Sequence, residues 1–233
     1  MRKLWLVAVL AASQAWADEP APDAGWTGRV DLGFFSQSGS AGGKESLTFK
    51  TDLNRRWGDF TLENHAEAIS ASSDSDGGSA RYLVSSKQRL ALNATDYVFL
   101  REQFEKDSTS EFSRQYNLTS GLGRTFFSDD TQSLVAEAGA GVRHSIRKLG
   151  KDETSPIVTA GADYRYHFSK TTEFRQRAGF EGGRDANILR SLTELRFQLR
   201  EALSLALGYD IKREYSNASQ HLNVTTVSLS YLY

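Results

Sequence analysis

The sequence predicts an all-β fold, a twelve-stranded antiparallel up-and-down transmembrane β-barrel of the bacterial outer membrane. Three observations predict it. Apolar and polar residues alternate with period two in segments that recur about every 18 residues, and no helical period of comparable strength competes. The connections between these segments alternate between long and tight, as in barrels whose two ends face different compartments. The chain also finishes on an alternating segment, Val227-Ser228-Leu229-Ser230-Tyr231-Leu232-Tyr233, that closes on an aromatic residue.

The N-terminal segment reads as a secretory signal peptide over residues 1–17. Arg2 and Lys3 form a short basic region, Leu4 to Ala12 an apolar one, and Ala15-Trp16-Ala17 puts small residues at the cleavage positions. Cleavage is expected after Ala17, with Asp18 as the mature N-terminus. The apolar run is about half the length a membrane-spanning helix requires. Residues 18–24 form a short lead holding two of the three prolines, Pro20 and Pro22, and the barrel is expected over 25–233.

Composition narrows the class. Mean hydropathy is −0.47, and after residue 17 no apolar run is long enough for a spanning helix. A barrel tolerates this, because only its outer face meets lipid while its inner face stays polar. With no cysteine, a lipoprotein anchor, disulfides and thiol chemistry are excluded. Loss of Arg2 and Lys3 leaves 26 basic against 29 acidic residues, a mature net charge of −3. The basic residues are dispersed among acids, which argues against a nucleic-acid partner.

The predicted strands cover 25–36, 44–57, 59–71, 80–93, 95–106, 112–126, 132–147, 156–168, 171–183, 187–199, 202–215 and 220–233. Connections after odd strands are longer and rich in Gly, Ser, Asp and Lys: Gln37–Gly43, Ser72–Ser79, Asp107–Glu111, Lys148–Ser155, Gly183–Ala186 and Ser216–Ser219. Those after even strands are tight: around Gly58, Ala94, Ser128–Thr131, Ser169–Lys170 and Arg200–Glu201. The tight ends are assigned to the periplasm, and the even strand count puts both termini there too.

Each strand has two unlike faces. In 203–215, Leu203, Leu205, Leu207, Tyr209 and Ile211 oppose Ser204, Ala206, Gly208, Asp210, Lys212 and Glu214; in 44–57, Leu47, Phe49, Leu53 and Trp57 oppose Thr48, Lys50, Asp52 and Arg56. Alternation alone fits a soluble sandwich equally well. The aromatics select the barrel, because they gather at strand ends as interfacial girdles do. Trp26, Trp57, Phe60, Tyr97, Phe126, Phe127, Phe168, Phe174, Phe197, Tyr231 and Tyr233 fall near the periplasmic ends. Phe34, Phe35, Tyr82, Phe104, Phe112, Tyr116, Phe180 and Tyr215 fall near the opposite ones. Val227, Leu229, Tyr231 and Tyr233 on the last apolar face look like the C-terminal signal read by the barrel-assembly machinery.

Short motifs carry a family resemblance. They are Trp26-x-Gly28 before Asp31-Leu32-Gly33-Phe34, Ser38-Gly39, the Trp57 turn, Glu137-Ala138-Gly139-Ala140-Gly141-Val142-Arg143, Leu205-x-Leu207-Gly208-Tyr209 and Leu229-Ser230-Tyr231-Leu232-Tyr233. With these the chain resembles the YdiY-like salt-induced outer-membrane protein family, a group defined by a domain of unknown function, number 481. Ser40 departs from the asparagine expected after Ser-Gly, and Ala140 from the usual proline. The resemblance implies barrel architecture, outer-membrane location and a link to salt stress. It brings no catalytic residues.

The chemistry lies on the inward face. There the alternation places Arg29, Asp31, Lys50, Asp52, Arg56, Glu63, His65, Glu67, Lys87, Arg89, Glu137, Arg143, Asp163, Arg165, His167, Arg175, Arg177, Glu194, Arg196, Asp210 and Lys212. Twelve strands lie between small barrels filled by side chains and large open porins, so both a pore and a plug are open readings. In one, mixed charges such as Arg56 with Glu63, or Arg196 with Asp210, fill the lumen as ion pairs and the role is structural. In the other, Glu63, His65 and Glu67 on the third strand face Arg175 and Arg177 on the ninth, across the ring, and a transverse field tunes passage of small polar solutes.

An outer-membrane lipid hydrolase is the alternative from another class. It needs Ser, His and an orienting group within reach. His167-x-Ser169 and His144-Ser145 are the spacings weighed, and the first points inward near the periplasmic end while the second splits across the two faces. Asp74-Ser75-Asp76-Gly77-Gly78 lacks the downstream Glu of a calcium loop and reads as a turn. The sequons at Asn93, Asn117, Asn217 and Asn223 carry little meaning in bacterial strands, and Gly139 with Gly141 reads as room for a bend or a long side chain. No cofactor or metal is expected. Expected partners are outer-membrane lipid, lipopolysaccharide (with Lys148–Glu153 as a candidate contact), periplasmic chaperones and the assembly machinery, with small polar solutes under the channel reading.

Overall fold

The computed structural model describes residues 24–37, 44–73, 77–216 and 220–233. Twelve strands follow one another: β1 (Ala24–Gln37), β2 (Lys44–Trp57), β3 (Phe60–Ser73), β4 (Gly77–Ala91), β5 (Asp96–Asp107), β6 (Phe112–Ser128), β7 (Gln132–Arg147), β8 (Glu153–Ser169), β9 (Thr172–Gly183), β10 (Asn187–Arg200), β11 (Leu203–Tyr215) and β12 (Gln220–Leu232). Each pairs antiparallel with its sequence neighbours, and β1 pairs with β12, so the sheet closes. The signal peptide, nearly all of the lead, the Asp74–Asp76 part of the acidic motif and the cores of three long loops lie outside the described residues.

Closure leaves no strand edge unpaired, which is what a sheet in hydrocarbon requires. The seam runs in register from Arg29 opposite Leu232 to Phe34 opposite Val227. Tyr233 extends it by two backbone bonds with Gly28, 2.9 Å and 3.1 Å long. A Cβ on Gly28 would sit 2.5 Å from the Tyr233 ring, so the last aromatic packs against a residue with no side chain.

The tight ends are built from turn chemistry. Gly58 takes φ 56, in the left-handed region, which lets β2 reverse into β3 within two residues and brings the Trp57 and Phe60 rings to 4.6 Å. Asn93 Oδ1 accepts the backbone N–H groups of Thr95 and Asp96, and Asp129 Oδ1 those of Thr131 and Gln132. The strands differ from expectation mainly at the long-loop end. β4 starts at Gly77 and β8 at Glu153, each three residues early, because Ser72 opposite Gly78 and Ser145 opposite Glu153 keep their ladders going through turn-rich sequence.

The outer surface is apolar. Leu32, Phe34, Leu47, Leu122, Phe126, Val158 and Phe168 are each more than half exposed on it, while the lumen face carries the buried ionic residues. A water-soluble protein has the reverse arrangement, so the burial pattern is that of a barrel in lipid. Three aromatics expected at the girdles turn inward instead. Tyr97 is 4% and Phe112 1% exposed, and Phe35 pairs with lumen-facing Ser46. Tyr97 fits because Gly123 opposite it has no side chain: a Cβ there would sit 2.1 Å from the ring.

Candidate functional site

Odd strands run from the tight-turn end to the long-loop end, so alternate residues stack their side chains in the lumen as charged layers. Near the tight-turn end the charges neutralise one another locally. Arg29 bonds Asp52 at 2.9 Å and Asp31 at 3.2 Å, and Asp52 also meets His65 Nδ1 at 2.7 Å. Glu63 takes Lys87 at 2.7 Å and Arg89 at 2.6 Å; Glu137 takes Lys87 at 2.8 Å, Arg101, and the Tyr97 hydroxyl. Arg89 also lies over the Tyr97 ring at 3.7 Å. Arg175 pairs with Asp163, and Arg196 with Glu194 at 2.7 Å and Asp31 at 3.5 Å. This half admits water: the side chains of Arg165 and His167 are each 44% exposed.

Toward the long-loop end the lumen is dry and bridged from wall to wall. Lys212 of β11 reaches Glu105 at 2.7 Å and Asp107 at 2.8 Å, both on β5, six strands away in a ring of twelve. It also holds Glu214 at 3.2 Å, and its side chain is 3% exposed. Arg190 of β10 joins Glu105 to Glu181 on β9, and Arg143 joins Glu181 at 2.9 Å. Below this, Lys50 and Arg81 hold Glu67 and Asp210, tying β2, β3, β4 and β11 together. A cavity of about 10 Å³ beside Asp31, Lys50 and Glu194 has room for about one water.

Two short loops cap the mouth. Ser110, between β5 and β6, crosses to donate to Glu214 at 2.7 Å. Asp185, between β9 and β10, folds inward to accept from Ser145 at 2.6 Å and Ser155 at 2.7 Å, and it pairs with Arg143 at 3.2 Å. Arg143 also donates to the Ala186 carbonyl, and Phe112, Ala186 and Ile188 pack as a small apolar lid. Burial pushes the Asp185 carboxyl upward, but the two hydroxyl donors and the Arg143 charge outweigh it and hold the carboxyl below its ordinary range.

The predicted inward residues therefore all stand on lumen positions, but several partners differ from expectation. Arg56 bonds the Gly58 carbonyl at the rim rather than Glu63, and Asp210 belongs to Lys50 and Arg81 rather than Arg196. Of the facing acidic and basic walls, Glu63, His65, Glu67 and Arg175 are each matched by a neighbour, which leaves Arg177 as the one side chain there without an ion-pair partner among the described residues. Among the interfacial aromatics named from the sequence, Trp26, Trp57, Phe60, Phe168 and Phe174 stay on the outer face and Tyr97 does not.

Sequence reasoning missed Arg81, Arg101, Glu105, Glu181 and Arg190. All five lie within the predicted strands, so carrying the alternation through the whole of each strand finds them. Asp185 had no such signal, since its role depends on a loop turning inward. Asn117 bonds Glu181 in the lumen, and Asn93 builds a turn, so both sequons are absorbed by structure. The Ser–His pairs do not meet: His144 contacts Thr154, His167 contacts Glu173, and Ser145 contacts Asp185. Lys148 donates to the Ser108 carbonyl, which ties the candidate lipopolysaccharide-contacting loop to its neighbour. Among the described residues, His, Asp and Glu form no metal-ligating group of three or more.

Comparison with known proteins follows the architecture. A family model described as "Protein of unknown function, DUF481" matches residues 30–233. The NanC porin is similar in structure, with a TM-score of 0.54 at 11% identity, covering 87% of this chain and 98% of the porin. An outer membrane channel from Pseudomonas putida F1 gives 0.53 at 11% identity, covering 89% and 95%. At such identities the likeness concerns the fold. No curated protein matches the chain.

Proposed function

The chain belongs to the DUF481 family of proteins of unknown function, and on that premise we propose that it is an integral outer-membrane barrel whose lumen is shut at its outer end, serving the envelope as a structural, stress-related element. In this reading the signal peptide is cleaved after Ala17, the tight turns and both termini face the periplasm, and the long loops face outward toward lipopolysaccharide. Periplasmic chaperones and the assembly machinery are its partners during biogenesis, with Tyr233 and the alternate residues before it as the assembly signal. The salt-stress role comes from the family resemblance in the sequence.

One observation carries the closed lumen. Lys212 joins opposite walls through Glu105 and Asp107 in a layer that excludes water. A bridge of this kind fixes barrel shape and blocks passage together. An open diffusion pore would keep its opposing charges apart and hydrated.

A narrow small-solute channel is the second reading, favoured by the water-accessible half below the bridge. Planar-bilayer recording separates the two. The closed reading expects no steady conductance from the wild type and the onset of conductance in Lys212→Ala, which removes the bridge between the two walls. A wild type that conducts steadily at neutral pH overturns the closed lumen. The contacts of His144, His167 and Ser145 lend the lipid-hydrolase alternative no support.

A further inference from the structure

We infer that the inner half of the lumen holds a binding site for a small monocarboxylate at Arg177. Arg177 lies on β9 opposite Asp163 of β8 and Leu192 of β10. Its nearest carboxylates are already taken: Asp163 by Arg175, Asp52 by Arg29 and His65, Glu194 by Arg196. Among the described residues Arg177 itself makes no side-chain ion pair or hydrogen bond, and its Nε is buried without a partner. Of the five arginines in this layer (29, 165, 175, 177 and 196), the other four each have a carboxylate within ion-pair distance and Arg177 has none among the described residues.

There is room beside that charge. The next inward positions on β8 and β9 are Gly161 and Gly179, paired with each other in register. A Cβ on Gly179 would meet nothing within 4 Å, and one on Gly161 only the Ala178 carbonyl, at 3.4 Å. A bare wall next to an unpaired guanidinium makes a hollow with one charged side. Filling the lumen would not need this: a charge left unpaired in a narrow space costs more than Gln or Met of similar size. The planar guanidinium instead offers two parallel N–H donors, which match a carboxylate.

Access comes from the tight-turn end, past the exposed Arg165 and His167. The site is therefore independent of whether the mouth opens. The test uses the full chain folded in zwitterionic detergent, with trifluoroacetate as the probe, followed by fluorine NMR titration. The expected result is saturable binding by the wild type, weakened roughly tenfold or more in Arg177→Gln, as loss of a charge-assisted pair implies. Gly179→Val keeps the charge and fills the hollow, so it also loses binding. Arg165→Gln, in the same lumen, retains it.

Folding of each variant is checked by its heat-dependent gel mobility. If Arg177→Gln fails to fold, Arg177→Lys serves in its place, with weakened but measurable binding expected. Non-saturable binding by the wild type overturns the site. Equal losses in Arg177→Gln and Arg165→Gln reduce it to a diffuse positive field, and an unaffected Gly179→Val removes the hollow.

Discussion

Replacing Lys212 with methionine tests the cross-lumen bridge most directly. The ammonium sits 2.7, 2.8 and 3.2 Å from three carboxylates, on Glu105, Asp107 and Glu214, and its side chain is 3% exposed. Methionine nearly keeps the volume and removes the charge. Three acids then face one another in a layer from which water is excluded, with Arg190 the remaining cation on Glu105. Breaking a buried ion pair from one side costs about 3–5 kcal/mol. With a urea slope of about 2 kcal/mol per molar, within the usual range, the unfolding midpoint should fall by roughly 1.5–2.5 M. Tryptophan fluorescence and heat-modifiable gel mobility of the protein in lipid vesicles report it. A triple variant adding Glu105→Gln and Asp107→Asn should recover much of the loss, because two of the three uncompensated charges go with the lysine and Glu214 keeps the Ser110 hydroxyl. A Lys212→Met midpoint within about 0.3 M of wild type, the size of an ordinary surface change, would refute the dry bridge.

Three further outcomes follow from the same geometry. Gly123→Val drives a side chain into the Tyr97 ring and should destabilise by roughly 1–3 kcal/mol, with Tyr97→Ala relieving it in a double-mutant cycle; additive losses would count against the contact. The Asp185 carboxyl titrates lower in the folded loop than in the unfolded chain, so its contribution is present above about pH 4 and disappears as pH falls through the lower folded value. Stability measured from pH 5 to pH 2 should therefore fall less steeply in Asp185→Asn than in wild type, and parallel curves would remove the latch. Deleting Tyr233 takes away both backbone bonds to Gly28 and should lower the yield of assembled barrel in the membrane fraction. Unchanged yield would show that the seam closes without it.

The strands were legible because period-two alternation survives wherever one face meets lipid and the other water. Ten of the twelve starts fall within one residue of expectation, and the two outliers, β4 and β8, begin three residues early where polar tips keep pairing outside the apolar belt. Face assignments at Arg29, Glu63 or Lys212 followed from parity alone. Partners did not. Arg196 was matched to Asp210 on the adjacent strand, yet it meets Glu194 and Asp31, and Asp210 goes to Lys50 and Arg81. Long side chains reach across a narrow lumen, so the neighbour in the sheet is not always the nearest opposite charge. Tyr97 failed for a related reason. It sits at a strand end like a girdle aromatic, but its parity is inward and Gly123 leaves room for the ring.

The sequence by itself determined the class of the molecule: a closed ring of amphipathic strands, apolar outside, ionic inside, sealed by a C-terminal strand that ends on Tyr233. These are local properties, set residue by residue by the alternation of side chains along an extended backbone. Only the tertiary structure decided that the lumen is bridged by Lys212, latched by Asp185 and left with an unmatched charge at Arg177. Those features depend on how strands six places apart in the ring stagger against each other and on a loop that turns inward. Parity carries which way a side chain points; the closed barrel decides what it meets.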